Sequence, residues 1–342
     1  MSELINDARK IAKRLLYAVK GVETDFNADT LPWVDAASSD EIDRYAANFS
    51  GKELLNYNLA DKLHQWQRDG YVILEGGIPP EWIDQYWSQV RDFIDNHDKF
   101  SLRVLVEEPG YEKQTTQRAK DIPKSVLDGM RIKINDFHSL SKLGKQIMLN
   151  PNIVGFLRAI FNQTPVSMQS LTFQYGSQQP AHQDFPYVQS GIPSHLAASW
   201  IALEDVRADA GPLFYYVGSH KIKKFNWGNG ILYDPRESFQ TPIDFSKHLE
   251  KVCNQQGLEK KVLLIKKGDV LFWHASLVHG GMPIKNPALT RKSLVCHYSS
   301  ENAFPNPRFN DIPGEKIPLN GAAYFTNKLI EPHEEDYYPG SK

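Results

Sequence analysis

The 342-residue sequence has only two cysteines, Cys253 and Cys296. They are too distant in sequence for a zinc knuckle and too few for a disulfide framework, so a reducing, cytoplasmic setting is expected. No apolar run approaches the roughly 18 residues that a bilayer-spanning helix needs, and the first residues lack the apolar stretch and cleavage site of a secretory signal. The formal charge is only -2 at neutral pH, so nothing in the bulk composition asks for nucleic acid as a partner. Internal repeats, low-complexity tracts and a convincing phosphate- or adenine-nucleotide-binding motif are also missing. What is present is 41% hydrophobic residues over a length that suits one large domain or two small ones with a buried core.

Residues 3–20 place Leu4, Ile5, Ala8, Ile11, Leu15, Leu16 and Val19 at helical spacing, with Arg9, Lys10, Lys13 and Arg14 on the other face. This predicts an amphipathic basic helix that packs on the domain, with a weak membrane-surface contact as the other reading. Residues 24–60 are polar, and Ser39 or Asp40 is placed to cap a short helix through Tyr45 and Phe49. From Leu59 the pattern predicts a helix through Trp66, a turn at Asp69-Gly70, a strand over 71–74 and a helix from Glu81 to about His97. The charged stretch 98–130 shows no period and reads as a surface excursion of the kind that forms lids or binding loops. Two helices are predicted over 139–162, broken at Asn150-Pro151.

After Pro165 the periodicity changes. Short alternating or apolar runs over 166–175, 196–203, 213–217, 262–265, 269–273 and 293–298 are separated by turn residues. They predict a mainly β fold with flanking helices, a sandwich, jelly roll or barrel whose N-terminal helices pack on one sheet. The expected organisation is an N-terminal helical extension over 1–58, a β domain over 59–300 and a C-terminal tail over 301–342, with 98–130 and 222–260 as lid or substrate loops.

Within the β region, His182 and Asp184 are separated by one residue, and extended chain turns such a pair to one face. Two imidazoles and one carboxylate form the facial triad that holds Fe(II) with open positions. Two histidines downstream compete for the third place, His274 and His279. His279 is chosen because Gly280-Gly281 follows it and allows close approach of a ligand, whereas His274 lies in an aromatic stretch and is expected to pack or to make an outer hydrogen bond. Arg291 and Ser293 then share a strand face, where a guanidinium can grip a carboxylate bidentately. Such a pair suits the distal carboxylate of 2-oxoglutarate. Gln169 and Gln174 alternate with apolar residues and are candidate substrate contacts, as are Phe185 and Tyr187 beside the His-x-Asp pair.

In order, His182-x-Asp184, His279 and Arg291-x-Ser293 resemble the phytanoyl-CoA dioxygenase family of Fe(II)/2-oxoglutarate oxygenases. The flanks are similar to it as well: Asp69-Gly70-Tyr71-Val72-Ile73-Leu74 before Ile78-Pro79-Pro80, Trp200 to Asp205 with Gly211-Pro212-Leu213 and Gly218-Ser219-His220-Lys221, and Gly268-Asp269-Val270-Leu271-Phe272 through His279-Gly280. The likeness covers about residues 60–300. One departure is an interval from His279 to Arg291 that is one residue longer than is common in the family and holds Pro283 and Pro287.

The resemblance implies a double-stranded β-helix (jelly roll, cupin-like) core. It implies His182, Asp184 and His279 as iron ligands, Arg291 with Ser293 as the carboxylate clamp, and Trp200 and Lys133 as co-substrate contacts. It also implies Fe(II), 2-oxoglutarate and O2 as cofactor and co-substrates and hydroxylation of a small-molecule C–H bond, because related halogenases lack the carboxylate that Asp184 supplies here. A non-catalytic metal-binding β-barrel and a metal-dependent hydrolase are the alternatives; neither needs the Arg291-Ser293 pair.

Overall fold

Two sheets, antiparallel but for one pair of strands, face one another, and the chain reaches them through a shell of helices. The computed structural model describes residues 22–107, 114–130, 132–304, 314–327 and 331–339. The basic helix predicted over 3–20, and the membrane contact attached to it, lie outside these residues.

The first helices are α1 (Trp33–Ala36) and α2 (Ser39–Asn48). Ser38, one residue before the positions expected, caps α2: its hydroxyl accepts from the Glu41 N–H while the Glu41 carboxylate accepts from the Ser38 N–H. Next come α3 (Leu59–Asp69), β1 (Tyr71–Leu74) and α4 (Pro80–Asp95), with Pro80 at the first helical position of α4, where its missing N–H costs nothing. The described part of the excursion 98–130 has more regular structure than its sequence suggests. It forms the hairpin β2 (Arg103–Glu107) and β3 (Gln114–Arg118) and the turn of helix α5 (Lys124–Leu127). Then follow β4 (Ile132–Asn135), α6 (Lys142–Met148), α7 (Pro151–Phe161), β5 (Pro165–Phe173), β6 (Leu196–Ala202) and β7 (Leu213–Tyr216). The insertion 222–260 carries α8 (Pro242–Gln255), followed by β8 (Lys260–Val262), β9 (Val270–His274), β10 (His279–Gly281) and β11 (Ser293–Ser300). Strand β8 is shifted against the 262–265 expected. The C-terminal hairpin β12 (Gly314–Leu319) and β13 (Ala322–Asn327) pairs in parallel with β5.

The larger sheet runs β1-β9-β6-β11-β5-β4-β2-β3, and the smaller runs β10-β7-β8. This is the jelly roll with helices on one sheet. Strand alternation splits the large sheet into two faces. Ala197, Ile201, Val270, Phe272, Leu294, Cys296 and Tyr298 look outward and join the helices in the main core. Ala198, Trp200, Leu271, Trp273 and Val295 look inward and meet Leu213 and Tyr215 of the small sheet. The described part of 22–58 shares the main core, with Val34 and Ile42 fully buried. The C-terminal segment is tied in too, where Glu334 accepts from the Ser101 N–H at 2.6 Å.

Gly70 ends α3 at φ 76°, and a Cβ there would stand 2.3 Å from Nδ1 of His220, so glycine is required on both counts. His220 lies buried with its ring 5.3 Å from that of His274. Burial, and then the His274 ring, hold its pKa well below the ordinary histidine value. The unfolded chain protonates this histidine near pH 6.5, whereas the folded one does not. In that window the unfolded state binds more protons, so stability rises with pH and is lost on acidification. The melting temperature is expected to fall between about pH 7.5 and about pH 5, and His220→Asn should narrow the difference; an equal drop in the variant would remove His220 from the account.

Candidate metal centre

His279 opens β10, and His182 sits on the loop between β5 and β6. The two residues exchange backbone hydrogen bonds, His182 N–H to His279 C=O at 2.8 Å and His279 N–H to His182 C=O at 3.0 Å. This isolated bridge brings together residues almost a hundred positions apart and sets their rings with centroids 4.3 Å apart. Asp184 follows two residues after His182 and turns to the same side. Nε2 of His182 lies 3.5 Å from Oδ1 of Asp184, and Nε2 of His279 lies 3.6 Å from it. The three donor atoms are all within 4.8 Å of one another, a spacing that one ion can bridge.

The hydrogen bonds behind the donors suit a metal. Nδ1 of His182 is 2.8 Å from the Pro180 carbonyl oxygen, and Nδ1 of His279 is 3.0 Å from that of Leu277. A carbonyl only accepts, so each Nδ1 carries the proton and each Nε2 keeps its lone pair for the centre. Burial pushes the His279 pKa down to about 4, against the opposing pull of Asp184, so the ring is neutral at physiological pH. Burial alone would raise the pKa of Asp184; the imidazoles of His279, His182 and His297 reverse this and hold it well below the usual carboxylate range. Two neutral imidazoles and an ionised carboxylate are the donor set of a non-haem Fe(II) centre.

Arg291 lies just before β11, with its backbone N–H held by the Gln174 carbonyl oxygen at 2.9 Å. Its guanidinium is buried, donates from Nη1 to the Gly211 carbonyl oxygen at 3.3 Å, and stands 5.3 Å from the ring centre of Trp200. Burial pushes its pKa down to about 10, so it stays charged at neutral pH. Glu204 opposes the effect of burial from a distance, but among the described residues no carboxylate lies within ion-pair reach of Arg291, and burying a charge without a direct partner costs several kcal/mol. Arg291 Nε, Ser293 Oγ and Trp200 Nε1 are all buried without a hydrogen-bond partner. Three orphaned donor groups, one of them cationic, fit the carboxylate of a co-substrate.

The comparison with known families accords with this geometry. Residues 66–293, more than half of the chain, match the family model described as phytanoyl-CoA dioxygenase (PhyH). The chain belongs to the phytanoyl-CoA dioxygenase family. The peroxisomal phytanoyl-CoA dioxygenase of Homo sapiens is 26% identical over 252 residues, which span 69% of this chain and 66% of that protein. The Mus musculus protein is 25% identical over 253 residues, spanning 69% and 67%. The chain therefore matches about two thirds of the length of these curated relatives. Among solved structures, the epimerase SnoN in complex with Fe3+, alpha ketoglutarate and nogalamycin RO superposes with a TM-score of 0.53 at 17% identity, covering 86% of this chain and 98% of that one. EctD from S. alaskensis with 2-oxoglutarate and 5-hydroxyectoine gives 0.54 at 15% identity, covering 89% and 94%. At such identities these two likenesses show the fold.

Other residues singled out in this phytanoyl-CoA dioxygenase family member fall in different places. Lys133, on β4, forms a buried ion pair with Glu107 and lies 3.5 Å from the side-chain oxygen of Gln179, just ahead of the His182 loop. Gln169 faces inward, and its amide nitrogen is 3.1 Å from Nδ1 of His297. Gln174 does not join it: its amide donates to Asp128, and its oxygen accepts from Arg91 on the helical side. Five positions separate the two glutamines, an odd step that sends their side chains to opposite faces. Phe185 is buried edge-on against Phe26, with centroids 4.9 Å apart. Tyr187 packs in the aromatic cluster of Trp227, Tyr233 and Phe245 that the 222–260 insertion supplies. His274 points to the helical side, where Nε2 lies 3.2 Å from Asp35.

Two residues beside the triad were not anticipated. Trp273 donates from its indole to Oδ2 of Asp184 at 2.7 Å, and Nε2 of His297 is 3.4 Å from the same oxygen. Parity held a clue to both: Trp273 is one residue from the outward-facing His274, and His297 is four from Ser293.

Proposed function

We propose that this chain is a non-haem Fe(II)/2-oxoglutarate-dependent dioxygenase that hydroxylates a C–H bond of a small-molecule substrate. The observation that carries the reading is the buried Arg291, without a carboxylate in ion-pair reach among the described residues and accompanied by the orphaned donors of Ser293 and Trp200 on the inner face of the large sheet, alongside the His182-Asp184-His279 donor set. A hydrolase or a metal-stabilised binding module would need the triad but not this second, cationic subsite.

In this reading His182, Asp184 and His279 hold the ion, and Arg291 with Ser293 takes the distal carboxylate of 2-oxoglutarate as two or more charge-assisted hydrogen bonds. Iron with O2 and 2-oxoglutarate supplies the oxidising chemistry: one oxygen atom enters the substrate as hydroxyl, and the other leaves in succinate as CO2 is released. The protein supplies orientation and a dry wall. The Tyr233 N–H donates to the Pro186 carbonyl oxygen at 3.1 Å, so the 222–260 insertion is fastened to the loop that follows Asp184. Lys133 and Gln179, 3.5 Å apart, put polar groups just ahead of the His182 loop. Both cysteines are free and buried, which fits the reducing, cytoplasmic setting inferred above, and among the described residues no helix is long and apolar enough to cross a membrane.

The test is anaerobic titration of the metal-free protein with Fe(II) and then 2-oxoglutarate, watching for the weak visible charge-transfer band of the chelate. A band that saturates with one equivalent of each is expected. Iron-loaded, folded protein that gives no band at millimolar 2-oxoglutarate would overturn the reading.

A further inference from the structure

Asp184 has two oxygens, and they are treated differently. Oδ1 faces Nε2 of His182 and of His279, whereas Oδ2 accepts the Trp273 indole N–H at 2.7 Å and lies 3.4 Å from Nε2 of His297. The indole nitrogen can only donate, so its bond to Oδ2 has one possible sense.

The arrangement comes from a straight row across the large sheet. Trp273 on β9 pairs with Ala198 on β6, Ala198 pairs with His297 on β11, and His297 pairs with Gln169 on β5. All four side chains face inward. The middle member of the row is the smallest, so a gap one side chain wide opens between an indole and an imidazole. The Asp184 carboxylate descends into that gap from the loop, anchored by its own N–H to the Ala275 carbonyl oxygen at 3.2 Å. Gln169 completes the row: with its amide donating to Nδ1 of His297, the imidazole proton sits on Nε2, toward Asp184.

We propose that Trp273 and His297 are positioning residues that hold Asp184 as a one-oxygen ligand, leaving the coordination position beside it open for 2-oxoglutarate. The inference rests on the iron and 2-oxoglutarate reading given above. A free carboxylate can bind a metal through one oxygen or both, and the second mode would consume a position that the co-substrate needs. With Oδ2 hydrogen-bonded by the Trp273 indole, and with the His297 Nε2 standing 3.4 Å from it but outside hydrogen-bonding geometry, only Oδ1 is presented. Neither residue is assigned contact with substrate.

Three variants test this on the full chain. Trp273→Phe keeps an aromatic side chain and removes the indole N–H together with the five-membered ring, so the melting temperature is read alongside to separate lost packing from the lost donor. His297→Leu removes the imidazole that stands 3.4 Å from Oδ2 on another strand, and His297→Gln puts a polar amide back. Each is loaded anaerobically with Fe(II), whose dissociation constant is read by competition with a fluorescent chelator, and then titrated with 2-oxoglutarate by the charge-transfer band. For Trp273→Phe and His297→Leu the 2-oxoglutarate concentration at half-saturation is expected to rise about tenfold or more, the lower end of what an outer partner of a metal ligand contributes. The Fe(II) dissociation constant should move much less, and His297→Gln should recover part of the loss. Unchanged 2-oxoglutarate half-saturation in both variants, or parallel loss of iron binding, 2-oxoglutarate binding and melting temperature, would overturn the inference. A wild-type protein that shows no band at all would instead bring down the functional reading on which it rests.

Discussion

His279→Ala abolishes iron retention: the Fe(II) dissociation constant rises by more than about 100-fold, beyond the range that loss of an outer hydrogen-bond partner produces. On the proposed assignment three protein ligands hold the ion, and the variant keeps two. Nothing nearby replaces the third. His274, five residues earlier in sequence, faces the helical side against Asp35 and cannot turn inward without leaving β9. Its neighbour on the inner face, Trp273, carries a nitrogen that only donates. The fold should survive, because His279 contributes its backbone to the bridge with His182 and that backbone remains. Equilibrium dialysis with Fe(II) or Co(II) and a melting curve measure the two effects separately. His274→Ala is the matched control and should keep iron affinity within a few-fold. Retained iron in His279→Ala with loss in His274→Ala would reverse the assignment of the third ligand.

Arg291→Ala should raise the 2-oxoglutarate requirement steeply while leaving Fe(II) affinity near that of the wild type. Truncating one partner of a buried, hydrogen-bonded charge pair costs about 2–5 kcal/mol, and each 1.4 kcal/mol is tenfold, so half-saturation should rise by roughly 30-fold or more. Arg291→Lys should recover little of this. A lysine ammonium lacks the planar fork and cannot use both its own carbonyl anchor at Gly211 and a carboxylate in the same geometry. The apo-protein should tell a different story. Without co-substrate the wild type buries an unpaired cation, so Arg291→Leu should melt no lower than wild type, and saturating 2-oxoglutarate should stabilise the wild type alone. A 2-oxoglutarate requirement unaltered in Arg291→Ala would take Arg291 out of the clamp.

Sequence reading went far for the strands because alternation is local. The inward set Trp200, Val295 and Leu271 and the outward set Ile201, Leu294 and Phe272 follow from parity once one residue of each strand is placed. The same parity assigns Gln169 and Gln174 to opposite faces, so the two cannot both be contacts of one substrate from this strand. The hairpin of β2 and β3 was harder to see. Its residues Arg103, Glu107, Gln114, Gln117 and Arg118 are polar enough to read as surface excursion, and they extend the sheet through pairing with β4 rather than through any apolar period of their own. The 301–342 region carried little periodic signal either, although β13 adds to β5 and Tyr338 is buried.

By itself the sequence determined the chemistry available to this protein: His182, Asp184 and His279 in an order and setting that match one family, an arginine and a serine two residues apart after them, and the strand rhythm of a jelly roll. These are properties of short segments, set by residue type and by the two-residue repeat of extended chain. Tertiary structure decided which groups share a site. Gln169 and His297 are 128 positions apart, and Trp273 and Asp184 are 89 apart. Their meeting depends on the order of strands β9, β6, β11 and β5 and on the register between them, which short-range periodicity does not encode. The physical reason is that a donor's role here comes from its distance to one carboxylate oxygen in a dry interior, and that distance exists only after the sheets have closed over it.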